Sequence, residues 1–537
     1  MAIIIANLQW IYLLIFLLVV LAVGILFVTK PLLRYIIKRI SDHATTILLT
    51  DVYSKNIMEL LPSLTRFSVL NLLELSLRAQ TGKVITRPLG SPKHLMGYDT
   101  LMFNPRQMTE LSLPEDTEMD MSVTIGPNAE KPMTIKIPLM IAGMAYGLGL
   151  SEEAKIALAK ASKKLHTATC SGEGPFLPEE PGAAGKFILQ ICQWSWGGRT
   201  MEQIASADML EVKMGQGADV GTASIAAIEF EGKAQVLAGL NPGEPATGLP
   251  APPGVEKTED WPAFMKNLRL RANGIPIALK IMATDRLEEE LAVAVDLGFD
   301  AVMIDGTGGG SHATAPIKQD DFGIPGIIAL IRAKRYLKNS QISLVMSGGY
   351  FTPGQCLKAL ALGVDAIYLG TVPLFALGHG QTSKVLPWEP PTTLIYYDSP
   401  TKTQLNIDQA ATSVTNTLQS MVVEMQDAMR ALGKSSLKEL SPDDLVALDS
   451  FTAQVTGVKQ VSYQNNKPLA PENLQEREPI FSPVEVIHSL QELKLLLHHA
   501  YRLVAFQEKI ITMLRKNQFS QNIEGLKIEY QAFKLQQ

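Results

Sequence analysis

Two glycine-ended turns, Ser347-Gly348-Gly349 and Gly370-Thr371, lie about twenty residues apart in SLVMSGGYFTPGQCLKALALGVDAIYLGT. Each ends a short apolar run. Glycine lets backbone N–H groups approach an anion closely, so two such turns in one neighbourhood could cradle a phosphate. A single turn of this kind is commonplace, and either could be no more than a chain reversal. Two lysines sit inside other apolar runs, Lys213 in EVKMGQG and Lys280 in IALKIM. Lysine is almost never fully buried unless paired, so each marks an anionic partner or a stem snorkelling from the end of a strand. The loop DGTGGGSHATAP, Asp305 to Pro316, offers a run of backbone donors suited to a carboxylate or phosphate, or else forms a flexible lid. His312 within it could pass a proton, although a lone loop histidine more often plays no part. Glu173 in CSGEGPFLPEE stands between two glycines as a polar contact.

The elements that must position these residues repeat. Short apolar runs alternate with helical patterns at 138–144, 167–170, 187–192, 209–215, 275–282, 301–307, 342–349 and 366–371. Between them lie SEEAKIALAKASKKL, where Ser151 can cap and Glu152 and Glu153 favour the first turn, then DRLEEELAVAVDLG and FTPGQCLKALALG. Strands alternating with helices imply parallel β/α units. Eight of them predict a closed α/β barrel, with an open doubly wound sheet as the competing arrangement. In a barrel the functional residues gather at the C-terminal ends of the strands, and a phosphate often sits after the seventh and eighth. The two glycine turns fall there. GLNPGEPATGLPAPPGVEKTEDWP, residues 239–262, reads as an active-site loop after the fourth strand.

At 537 residues, 46% hydrophobic and 19% charged, the chain has the composition of a globular enzyme. A net charge of −5 gives no electrostatic case for nucleic acid. Cys170, Cys192 and Cys356 are too few and too scattered for a disulfide framework or a CxxC metal site. Cys170 and Cys356 read as packing residues. Ile11 to Val28 form an uncharged apolar run, long enough to cross a bilayer as a helix rather than to lie in a protein core. Trp10 and Tyr12 stand where an aromatic belt would lie, and Lys30, Arg34, Lys38 and Arg39 follow the run. The positive side is therefore C-terminal, which predicts a single-pass anchor over residues 3–29 with the catalytic part in the cytoplasm. Residues 30–84 read as juxtamembrane helix, lying on the membrane or packed on the domain behind it. The barrel is expected over 85–385, a helical segment over 386–445 and a helical extension over 446–537.

SGEGPFLPEE, EVKMGQGA, DGTGGGSHATAP and MSGGYFTPG…ALGVDAIYLGT stand in an order that resembles the synthase domain of glutamate synthase, and QDAMRALGKSSLKEL (426–440) resembles the helix that follows that domain. The likeness spans roughly residues 85 to 445 and implies an FMN-binding barrel. Carried over motif by motif, it places the Ala142-Gly143-Met144-Ala145 backbone against the flavin ring. It sets Ser171, Gln190 and Lys213 around the ring and ribityl chain, with Lys280 near the flavin. Ser347, Gly348, Gly349, Gly370 and Thr371 match the phosphate cradle. Glu173, Gln216, Gly309 and Gly310 match the site for 2-oxoglutarate or its imino derivative. Lys280 and Glu173 are the expected catalytic pair.

The departures are as informative. Full-length relatives begin with a glutaminase domain whose nucleophile is an N-terminal cysteine, where this chain begins with an apolar helix. Their cysteines past the eighth strand hold an iron–sulfur cluster, and FALGHGQTSKVLPWEPPTTL has none. Both functions are expected to be absent, leaving FMN to take electrons from a soluble donor or an electron-donor protein. The expected activity is hydride transfer from flavin to a small 2-oxo or imino acid, forming glutamate from 2-oxoglutarate and ammonia. Hydroxy-acid oxidation, isomerisation and a tethered flavin- or metabolite-sensing role stay open, as does self-association into a homo-oligomer.

Overall fold

All eight apolar runs form strands: β1 Leu139–Ile141, β2 Ala168–Cys170, β3 Lys186–Ile191, β4 Met209–Lys213, β5 Ile277–Met282, β6 Ala301–Asp305, β7 Ser343–Ser347 and β8 Ala366–Leu369. The computed structural model describes residues 31–50 and 60–461 apart from 313, together with Thr29 and Asn56. The strands are buried along nearly their whole length, as parallel strands covered on both faces must be. Each pairs in parallel with the next, β4 with β5, and β8 with β1 through Ile367↔Leu139 and Leu369↔Ile141. The sheet is closed. That pairing decides for the barrel against the doubly wound sheet.

One core fills the barrel and another lies between the barrel and its helices. The inner cluster contains Met140, Cys170, Ile188, Met209, Met303, Val345 and Tyr368. It also takes Ile125, Met133 and Ile135 from a hairpin formed by Val123–Ile125 and Met133–Ile135. Gly126 N–H of this hairpin donates to Ser343 Oγ at the start of β7, so the hairpin closes the N-terminal end of the barrel. Among the described residues, the C-terminal end is the one left open to a ligand. Outside, helix α1 (Glu152–Lys164) is capped by Ser151, whose hydroxyl accepts from Ala154 N–H, and packs on α2 (Ile407–Ala431). Lys155 of α1 is fully buried. It pairs with Glu180 at 2.8 Å and donates to the carbonyl of Cys170 at 2.9 Å, which fixes the turn leaving β2. Burial raises the Glu180 carboxyl, and Lys155 opposes that rise.

Leu445–Ala447 pairs antiparallel with Leu101–Phe103, so the first part of the expected C-terminal extension is sheet against this unit. The rest, 462–537, lies outside the described residues. So does the expected membrane span, apart from Thr29. Among the described residues no helix is long and apolar enough to cross a membrane. Residues 31–50 are helical and expose Leu32, Leu33, Ile36, Ile37 and Ile40, and helix Leu60–Thr81 exposes Phe67, Val69, Leu73 and Leu75.

Candidate active site

A cavity of about 830 Å³ opens at the C-terminal ends of the strands, within the size range of small-molecule sites. Ala142, Gly143, Met144 and Ala145 after β1 line it, with Glu173, Gln190, Lys213 and Gln216. Lys280, Gly309, Gly310, Ser347, Gly348, Gly349, Gly370 and Thr371 complete the set that the sequence singles out. Ser171 stands apart. Its hydroxyl donates to Gly172 O at 2.9 Å and accepts from Gln190 N–H at 3.0 Å, so it braces the β2 turn behind the wall.

The two lysines are register partners on adjacent strands, Lys213 at the end of β4 and Lys280 within β5. Partners in a parallel pair point to the same side, so two ammonium groups enter the barrel mouth side by side. They are 4% and 1% exposed. Such a pair is tolerable only with anions nearby. Lys213 Nζ binds Glu173 Oε2 at 2.8 Å and Asp219 Oδ2 at 2.9 Å. Burial works against its charge, but the two carboxylates more than offset that and hold it above the ordinary lysine range. Burial likewise opposes ionisation of Asp219, and Lys213 outweighs it, keeping the carboxyl below its usual range. Glu173 is fixed from behind: Trp194 Nε1 donates to its Oε2 at 3.1 Å and Trp196 Nε1 to its carbonyl at 2.9 Å. The two indoles stack at 5.1 Å, with Phe230 on the far side of Trp196 at 5.6 Å.

Lys280 is less well matched. Its nearest carboxylate oxygen, Asp305 Oδ2, lies 4.0 Å away, and its Nζ stands 5.8 Å from the centre of the Tyr368 ring. Lys213 is thus bound tightly by two carboxylates, while Lys280 has one, at the outer limit of an ion pair. Asp305 is 6% exposed, and its Oδ1 has no hydrogen-bond partner of good geometry. Burial pushes its carboxyl up to about 6, with Lys280 opposing. A carboxyl raised from 3.8 to about 6 stabilises the fold below the lower value and loses that contribution as pH rises through the upper one. Asp305→Asn is therefore expected to gain stability relative to the parent between about pH 4 and pH 6. Thermal melts of ligand-stripped protein across that range check it, and a pH-independent difference would contradict it.

The cradle is built for backbone contact. Gly348 and Gly349 have φ of 93° and 86°, conformations costly for other residues. A Cβ on Gly348 would stand 2.7 Å from Asp305 Oδ1 and from Gly306 N. Among the described residues, no protein group makes a hydrogen bond of good geometry to Asp305 Oδ1, Tyr368 Oη or His312 Nδ1, buried atoms on residues that line the cavity, although Ser347 and Gly217 lie near Asp305, and Glu211 and Cys170 near Tyr368. Orphaned groups of this kind call for a ligand or water. Together with the glycine turns and Lys280, they fit a phosphate-bearing, polar, ring-containing cofactor such as FMN. His312 packs on Tyr396 with ring centroids 4.1 Å apart, and burial lowers its basicity against the pull of Asp398.

Four residues of this region carry no sequence prediction. Asp219 lies six positions after Lys213, a pairing hidden by the intervening turn. Asp305 opens the glycine-rich loop, where the glycines draw attention away from it. Glu211 sits within β4, fully buried. Its Oε1 accepts from Gln190 Nε2 at 2.6 Å, while Oε2 has no hydrogen bond of good geometry among the described residues, although Tyr368 lies near the carboxylate. An acid inside an apolar run is the same signal that marks Lys213 two residues later. Tyr368 gives no polar signal, because an aromatic suits any strand.

The family described as the conserved region in glutamate synthase matches residues 93–435. The glutamate synthase large subunit-like protein of Rhizobium meliloti (strain 1021) is 30% identical over 426 residues, covering 73% of this chain and 93% of that one. The archaeal-type glutamate synthase [NADPH] of Dehalococcoides mccartyi is 27% identical, covering 71% of this chain and 81% of that one. Among solved structures, a flavocytochrome b2 variant with pyruvate bound covers 71% of this chain and 84% of its own at 17% identity and a TM-score of 0.43. The chain belongs to the glutamate synthase family, with that enzyme's conserved region forming its barrel.

Proposed function

We propose that the chain is an FMN-dependent oxidoreductase that reduces a 2-oxo or imino acid, with 2-oxoglutarate plus ammonia giving glutamate as its reaction. The observation that carries this reading is the pair of in-register lysines, one bound by two carboxylates at 2.8 and 2.9 Å and the other 4.0 Å from its one carboxylate, which line the same cavity as the glycine turns. When bound, FMN would supply a hydride for the substrate carbon. The chain's own residues do the rest. Backbone N–H groups at Gly348, Gly349, Gly370 and Thr371 would hold the phosphate, and Asp305 Oδ1 would accept from a hydroxyl. Lys280 places a positive charge where negative charge develops on reduction. Glu173, held by Lys213 and two indoles, is an acceptor fixed to orient the nitrogen of the substrate. Gln216 and the Gly309-Gly310 backbone would face its carboxylates.

The nitrogen source is free ammonia in this reading, and the reaction consumes a hydride and a proton and releases water. Curated relatives carry NADPH in their names, which makes NADPH or a partner that it reduces the first electron donor to test. We place no iron–sulfur cluster in the path, because residues 374–394 contain no cysteine. Residues 3–29 are proposed to anchor the enzyme in the membrane, with the barrel on the cytoplasmic side. The test is anaerobic. Detergent-purified protein is reduced with NADPH or dithionite, then mixed with 2-oxoglutarate and ammonium. Flavin reoxidation with glutamate formed in matching amount supports the proposal, and reoxidation by neither 2-oxoglutarate nor other 2-oxo acids would refute it.

A further inference from the structure

The segment just before the matched region is built into the wall of the cavity. Residues 86–91 run beside the glycine-rich loop. Arg87 N–H donates to Thr314 O at 2.9 Å, Thr314 N–H returns to Arg87 O at 3.4 Å, and Leu89 N–H donates to Ser311 O at 3.1 Å. The contact is backbone on backbone: a Cβ on Gly90 would lie 2.6 Å from Gly309 O, and one on Gly310 would lie 2.6 Å from Leu89 C. Thr86 and Leu89 line the cavity with Gly309 and Gly310. A loop rich in glycine pays a large entropic cost to hold one shape, so a partner strand must hold it.

The Arg87 side chain secures that partner. It is 9% exposed, and its fork reaches three acceptors on two helices. Nε donates to Gln319 Oε1 at 2.7 Å, and one terminal nitrogen pairs with Asp320 Oδ2 at 2.7 Å. The other pairs with Glu74 Oε1 of helix Leu60–Thr81 at 3.2 Å. Gln319 Nε2 donates back to Arg87 O. Gln319 and Asp320 end the short helix Pro316–Asp320 that follows the loop. The loop is thus anchored by β6 at one end and by Arg87 at the other.

We infer that residues 86–91 form the outer wall of the substrate subsite and that Arg87 is a positioning residue, which sets the Gly309-Gly310 donors for the substrate carboxylate without touching it. This rests on the proposed reading of that loop as the substrate side. Only a planar fork can bind three acceptors in separate directions, so lysine replaces Arg87 in part.

The experiment compares detergent-purified full chain with Arg87→Ala, Arg87→Lys and Gln319→Ala, reading KM for 2-oxoglutarate, kcat, flavin content and amide hydrogen exchange. For Arg87→Ala, KM rises about tenfold and kcat stays within about twofold, since small misplacement of binding groups is costly. Flavin content holds, exchange quickens across 306–316, and β5 and β7 keep their protection. Gln319→Ala gives the same pattern more weakly, and Arg87→Lys recovers part of the lost affinity. Unchanged KM and exchange overturn the inference. So does a parallel loss of kcat, flavin and protection in all strands, which marks general stabilisation. Should the parent not turn over 2-oxoglutarate, the functional reading falls while exchange and flavin content still decide on the wall.

Discussion

Lys280→Met lowers turnover by about 10²- to 10³-fold while the barrel stays folded, the size expected when a preorganised charge is removed from a reacting centre. Methionine keeps the unbranched apolar stem of lysine and drops the ammonium. The side chain lies inside β5, 1% exposed, and its nearest carboxylate oxygen is 4.0 Å away, so its charge is poorly spent on the protein itself. Losing it removes the stabilisation of an electron-rich ligand. The bound flavin should then be harder to reduce, with its midpoint potential moving negative. Asp305 complicates a simple reading, because Lys280 opposes the rise of its carboxyl and removing the lysine lets it rise further. The double variant Lys280→Met/Asp305→Asn separates the two. If activity loss comes from the missing cation, the double variant is as slow as the single. Turnover within about threefold of the parent in Lys280→Met would remove Lys280 from the chemistry.

Lys213→Met acts on stability as well as on activity. It leaves Glu173 and Asp219 facing each other across an empty position, each side chain about one-fifth exposed. Removing one partner of a buried ion pair typically costs 3–5 kcal/mol. Partial exposure places this case near the lower end, at about 3 kcal/mol. Glu173 also loses its orientation, although Trp194 still donates to it. The triple change Lys213→Met/Glu173→Gln/Asp219→Asn removes the stranded charges and restores most of the stability without restoring activity. Denaturant unfolding of the three proteins checks this. Equal midpoints for the parent and Lys213→Met would show that the three groups do not act as a unit.

The barrel was legible because each parallel strand is a short apolar run bounded by turn residues, and all eight runs coincide with strands. The site was legible where it broke that pattern: a lysine in a strand, or glycines at its end. Buried parallel strands are apolar on both faces, so the alternation that separates inward from outward positions is lost. That is why Tyr368 passed unnoticed and why nothing in the run showed that Ser171, two residues before Glu173 of the wall, braces the backbone instead. Glu211 could have been found by the rule that marked Lys213. The hairpin over 123–135 that closes the barrel, and the Arg87 wall, depend on contacts with residues far along the chain, which local pattern does not carry.

Flavin binding is the claim on which the rest depends, and the absorbance spectrum of the detergent-purified full chain tests it most directly. The account predicts a yellow protein with the two bands of oxidised flavin, bleached by dithionite, releasing FMN on denaturation. It predicts no broad visible absorption from an iron–sulfur cluster. A colourless protein that shows no spectral change or fluorescence quenching with added FMN would contradict it.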